Sequence, residues 1–282
     1  MKIDALLPVP DITACRRILF VQPHPDDNEV GAGATIARLA AAGCEVFFLT
    51  ATDGSLGTAD PAVRPADLAA RRAAEIERSA AILGVKRCLS LGLPDGGWLD
   101  EESLCRKIAA VIRELEPELV ATCDPFLPYE AHPDHRRVGM AVLEACMFSG
   151  FPHFRVEASP GCAGDAAPWS VRGVALYTSP APNTFVRVEG SWERKFEALA
   201  AHESQFPAEA LAQVRPYFEL KATGYAHRSP LLRRGPGRYI VALLSTRKGG
   251  ARAEAFKVLT TQHIHCFVDT ASGDFQAVAR GS

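Results

Sequence analysis

The chain lacks most features that would assign a protein to a special class. Its 282 residues carry a formal net charge of −2, so no overall basic field points to nucleic acid or to an anionic membrane. No apolar run approaches the roughly 20 residues of a membrane-spanning helix. The opening MKIDALLPVPD has no apolar stretch of the kind found in secretory leaders. The cysteines, at 15, 44, 88, 105, 123, 146, 162 and 266, include no C-x-x-C pair. Several sit within apolar runs, Cys44 ahead of Glu45-Val-Phe-Phe-Leu and Cys123 behind Leu119-Val-Ala-Thr. Such cysteines read as small buried hydrophobes kept reduced, not as a disulfide framework or a zinc ribbon. The expectation is a cytoplasmic protein with no nucleic-acid or membrane partner. A dinucleotide fingerprint is also incomplete. Gly31-x-Gly33 lies between strand and helix patterns, but Ile36 stands where the third glycine belongs, and carboxylates in the preceding turn would repel a pyrophosphate.

What the chain does have is enough apolar sequence for a sizeable core, 48% hydrophobic against 23% charged. Its first half alternates two periodicities. Strands are predicted at Arg17–Gln22, Glu45–Ala51, Arg87–Leu91 and Glu118–Cys123. Helices are predicted at Ala32–Ala42, Ala66–Leu83, Glu101–Leu115 and Pro133–Phe148, with Gly43 and Gly84 as stops after two of them. This βαβα rhythm predicts an α/β, Rossmann-like fold, a mostly parallel sheet with helices on both faces. The second half is less regular. Phe151–Trp169 reads as a long loop, Gly173–Thr178, Thr184–Val188 and Tyr239–Ser245 as strands, and Trp192–His202 and Ala208–Thr223 as helices. The simplest organisation is one domain over 1–282, a core of about 15–180 followed by a carboxy-terminal α/β extension of about 181–282.

The chemistry concentrates in two short stretches. Pro23-His24-Pro25-Asp26-Asp27 follows the first strand, and His132-Pro133-Asp134-His135 follows the fourth. One such turn would be unremarkable, because proline and aspartate favour turns whatever the chemistry. Two His-Pro-Asp units, each behind an apolar strand, point instead to a divalent metal such as zinc, which imidazole and carboxylate suit together. His24, Asp27 and His135 are the candidate ligands. Asp26, next to a ligand without being one, is the candidate general base. His132 is placed to donate a hydrogen bond or proton to the substrate. This is a set for amide hydrolysis.

These residues resemble the LmbE-like/PIG-L deacetylase superfamily, zinc enzymes that remove acetyl from N-acetylglucosaminyl groups. The likeness is carried by His24–Asp27, the glycine-rich helix start Gly31–Thr35, Thr52-Asp53-Gly54, Arg72-Ala-Ala-Glu75 ahead of Leu83-Gly84, and His132–His135. It continues in Lys195–Gln205, KFEALAAHESQ. The run from Asp124 to Arg137 looks most like the diacetylchitobiose deacetylases within the superfamily. Asn28-Glu29 departs from the pattern of many relatives, at a position that holds no ligand. The resemblance implies a small amino-sugar substrate, sugar contacts from Arg72 and Asp95, a homo-oligomer, and a late histidine, His263, completing the site within its own chain or across a subunit contact. Simpler roles stand beside these: an Arg72–Glu75 ion pair on a helix surface, a turn residue at Asp95, structural roles for His202 and His263. Two other readings of function share the fold. One is a non-catalytic sugar- or nucleotide-binding protein. The other is a metal-dependent hydrolase of a different amide.

Overall fold

Strand β1 (Arg17–Gln22) is apolar on both sides, and that decides its place. Ile18 and Phe20 face one way with Val46 and Phe48 of β2 (Glu45–Thr52); Leu19 and Val21 face the other with Phe47 and Leu49. All eight are buried. A strand buried on both faces belongs at the centre of a parallel sheet layered between helices. The structure, a computed structural model, describes residues 9–97, 99–226, 250–261 and 264. Within them follow α1 (Asp27–Ala41), α2 (Pro65–Leu83), β3 (Arg87–Leu93), α3 (Glu101–Leu115), β4 (Leu119–Cys123), α4 (Pro133–Phe148), β5 (Gly173–Tyr177), β6 (Thr184–Arg187), α5 (Trp192–Ala200), α6 (Ala208–Ala226) and β7 (Ala253–Leu259).

The sheet has the order β3-β2-β1-β4-β5-β7-β6. β1 to β5 run parallel, and β7 is antiparallel to both β5 and β6. Helices α1, α2, α5 and α6 cover one face; α3 and α4 pair on the other. This is the mostly parallel α/β architecture that the sequence predicts. The strand order reverses beside β1, with β2 on one side and β4 on the other. The loops that leave β1 and β4 therefore part, and a crevice opens at their carboxyl ends.

The differences from the sequence expectation that bear on the site lie in three elements. Helix α1 begins at Asp27, not Ala32. The glycines that suggested a later start serve close packing: a Cβ on Gly31 would lie 2.2 Å from the Tyr177 ring. Helix α5 stops at Ala200, short of His202. Strand β7 was not anticipated, because its Glu254 and Lys257 look like surface residues yet are buried. Glu254 is paired with Lys195 of α5 at 2.6 Å, and it accepts the Thr35 N–H of α1 at 2.7 Å. The expected strand at Tyr239–Ser245 and the candidate His263 lie outside the described residues. The seven described cysteines are all free, and burial raises their thiols, Cys15 to about 11 and Cys88 to about 12. Among the described residues no helix is long and apolar enough to cross a membrane.

Candidate active site

The turn after β1 is pinned from all sides. Pro23 C=O accepts from both Thr52 N–H and Thr52 Oγ1 at 2.9 Å. Gln22 Oε1 takes the Asn28 N–H at 2.8 Å, and Gln22 Nε2 donates to Thr50 Oγ1 at 2.9 Å. Asp26 sits between these anchors with φ at 141°, a conformation that L-residues rarely adopt. It is the N-cap residue of α1, yet its side chain makes no capping bond. Such strain persists only where the surroundings over-determine it. Here it leaves the carboxylate free to face Arg72, at 3.1 Å.

Asp27, the first residue of α1, accepts the His24 N–H at 2.9 Å through Oδ2, which is also 3.2 Å from His24 Nδ1. Its other oxygen lies 3.5 Å from His135 Nε2. The donor atoms of His24, Asp27 and His135 fall within 4.8 Å of one another. This His/Asp group can hold a metal ion. His24, His132 and Asp134 form a second such group sharing one histidine. Behind the rings stand carboxylates. His24 Nε2 is 3.2 Å from Asp95 Oδ1 and 3.4 Å from Asp134 Oδ2, though aligned for a hydrogen bond with neither. His135 Nδ1 is 3.1 Å from Glu130 Oε2. His132 caps α4, its Nδ1 accepting the Asp134 N–H at 3.3 Å, so its other nitrogen remains available to the crevice.

The electrostatics favour a cation at this point. Burial works against charge on His24, but Asp134, Asp27 and Asp95 outweigh it and lift its pKa to about 11. Burial also opposes ionisation of Asp27, yet the His24 and His135 rings hold it well below the usual carboxylate range. Asp26 moves the opposite way, raised by burial and by the neighbouring Asp27 charge, with Arg72 pulling it back. Adjacent carboxylates pushed apart in this way can divide the roles of ligand and base. Burial and the flanking His24 and His135 lower His132 and keep it neutral.

Arg72 and Asp95 both reach this crevice. Together with His24, Asp26, His132 and Gln205 they line a cleft of about 360 Å³. Arg72 comes from a stripe of α2 in which Leu68, Arg72, Glu75 and Ser79 are all buried. Besides Asp26 it donates to Gly54 C=O at 3.0 Å and Pro25 C=O at 2.9 Å. Gly54 has φ +64° and no room for a Cβ, which would meet Arg72 Nη1 at 2.5 Å. Glu75 pairs with Arg71, at 3.0 Å, and with Ser204, so the Arg72–Glu75 surface pair does not form. Asp95 is also more than a turn residue: its Oδ2 accepts the Leu56 N–H at 3.1 Å and ties the loops after β2 and β3 together. His202 is fully buried, 3.3 Å from Glu29, in a structural setting just past α5. Sequence reasoning did not single out Glu130, Asp134 or Gln205. All three lay inside quoted motifs, and for the first two their proximity to the histidines was the available signal.

The buried guanidinium makes Arg72→Ala a demanding change. Removing one partner of a buried pair costs about 3–5 kcal/mol. The variant should melt lower and lose kcat through a misplaced Asp26. Unchanged melting with only a raised KM would instead make Arg72 a plain substrate contact.

A family model described as PIG-L, GlcNAc-PI de-N-acetylase, matches residues 19–146, the span from β1 to α4. The diacetylchitobiose deacetylase of Thermococcus kodakarensis is 40% identical over 214 residues, 76% of this chain and 79% of that protein. A 1D-myo-inositol 2-acetamido-2-deoxy-alpha-D-glucopyranoside deacetylase of Kineococcus radiotolerans is 37% identical over 58% of this chain and 52% of its own length. Among solved structures, the N,N'-diacetylchitobiose deacetylase of Pyrococcus horikoshii, in complex with an inhibitor, superposes with a TM-score of 0.75 at 31% identity. That match covers 90% of this chain and 87% of the other.

Proposed function

Since the chain belongs to the PIG-L family of de-N-acetylases, we propose that it hydrolyses the acetamide of a small N-acetylglucosaminyl substrate and releases acetate. The observation that carries this reading is the convergence of His24, Asp27 and His135 within 4.8 Å, beside an Asp26 that the metal group leaves spare. Two imidazoles and one carboxylate form a three-ligand set of the kind found in catalytic zinc sites, so zinc is the metal assigned. Of the two clusters, His24–Asp27–His135 is the better holder, because it leaves the carboxylates of Asp95 and Asp134 close to the second ring nitrogen of His24, at 3.2 and 3.4 Å.

When bound, the metal supplies Lewis-acid polarisation and lowers the pKa of a coordinated water. The chain's own residues do the rest. Asp26 takes the proton of the attacking water, and Arg72 holds its carboxylate in place. His132, neutral and exposed to the crevice, hydrogen-bonds the developing oxyanion. Arg72, Asp95 and Gln205 line the cleft in which the sugar lies.

Acetate release across a panel of N-acetylated amino sugars tests the reading: a chitobiose-like disaccharide, free N-acetylglucosamine and an inositol glycoside. Acetate should appear in step with free amine for at least one of them. Turnover of an unrelated N-acyl amide with no acetate from any sugar would move the enzyme to another substrate class.

A further inference from the structure

We propose that Glu130 is a positioning residue that sets the tautomer of His135 and so tightens metal binding, a role that rests on the metal reading above. Glu130 stands on the loop between β4 and α4. In that loop Leu127 N–H bonds Asp124 C=O at 3.3 Å and Glu130 N–H bonds Leu127 C=O at 3.1 Å. The next link is unusual: Tyr129 has φ +67°, and its side chain is wholly exposed. With Tyr129 turned out to solvent, Glu130 turns in, its side chain 19% exposed. The carboxylate then serves two groups at once. Oε1 accepts the His132 backbone N–H at 2.9 Å, and Oε2 lies 3.1 Å from His135 Nδ1.

That contact decides which nitrogen of His135 carries the proton. A carboxylate only accepts, so Nδ1 donates to it, and the lone pair is left on Nε2. Nε2 is the atom facing Asp27, at 3.5 Å. The arrangement around His24 mirrors it, with Nδ1 toward Asp27 and Nε2 toward Asp95 and Asp134. Each ring thus has one nitrogen at the shared centre and one at a carboxylate. Such outer carboxylates orient ligating imidazoles, make them more basic, and typically change metal affinity by about 10–100-fold when removed. A capping role for α4 does not need Glu130's second oxygen, because His132 itself caps the Asp134 N–H.

The test compares wild type with Glu130→Gln and Glu130→Ala. Gln fills the same space but can accept from only one of the two donors without turning its amide N–H₂ toward the other. Zinc affinity is measured by competition with a chromophoric chelator. Melting is followed in metal-free protein, and the visible absorption of the cobalt(II)-substituted forms is recorded. The expected result is zinc binding weakened about 10–100-fold in both variants, a shifted cobalt spectrum, and metal-free melting of Glu130→Gln unchanged from wild type. Unchanged affinity and spectrum would overturn the proposal, and a lower metal-free melting temperature with unchanged affinity would reassign Glu130 to capping α4. Wild type that takes up no zinc would overturn the metal reading, and this role with it. Zinc-binding wild type with unaffected Glu130 variants would remove this role alone.

Discussion

Asp26→Asn is expected to retain its metal and to lose about 10²–10⁴-fold in kcat, the usual effect of removing a general base. The geometry separates Asp26 from the proposed ligand group. Its carboxylate faces Arg72 at 3.1 Å, whereas Asp27, one residue on, faces both His24 and His135. Burial and the Asp27 charge also raise the proton affinity of Asp26, which suits a group that must accept a proton during turnover. Asn keeps the shape and still accepts from Arg72, so the strained backbone at φ 141° has no added reason to relax. Metal analysis and steady-state kinetics on one preparation decide the matter. Near-normal kcat with intact metal would leave Asp26 as a turn residue. Loss of the metal would make it a ligand.

Removing a proposed ligand should be more severe still. His135→Ala is expected to lose the bound metal, about one equivalent per chain in wild type, and all measurable deacetylation with it. His135 is the cleaner choice of the two histidines. Its side chain is 25% exposed, so alanine there disturbs less packing than at the more buried His24. His24 is 9% exposed and stands between Asp27, Asp95 and Asp134. His24→Ala should therefore also melt lower, because three carboxylates lose the imidazole between them. Full metal retention in both variants would remove the ligand assignment.

Much of this molecule was legible in the chain because the forces involved are local. The apolar run Ile18–Val21 can only be an inner strand, and β1 keeps its predicted bounds. Helices α3 and α4 also keep theirs, since Asp100 caps the first and Pro133 occupies the first turn of the second. His24 and Asp27 are three residues apart on one tight turn, so their convergence needs no tertiary information. The βαβ rhythm predicted the mostly parallel sheet; the strand order, which sets β4 beside β1 and brings the later His132–His135 to the same crevice, came from the folded chain.

Only the folded chain decided the rest. Sequence periodicity tells which residues share a face; it does not tell which charged face is buried. Arg72 and Glu75 could be read as a surface ion pair on α2, yet they and Ser79 are buried because Asp26, Ser204 and Glu29 wait opposite. Strand β7 stayed hidden for the same reason, its Glu254 matched by a Lys195 59 residues earlier. Glu130 is a local partner of His135, five residues before it, but Asp95 from the loop after β3 and Asp134 from the first turn of α4 meet His24 only when the sheet forms. A buried charge is tolerable only with its partner in place, and where those partners lie far along the chain only the tertiary structure supplies them.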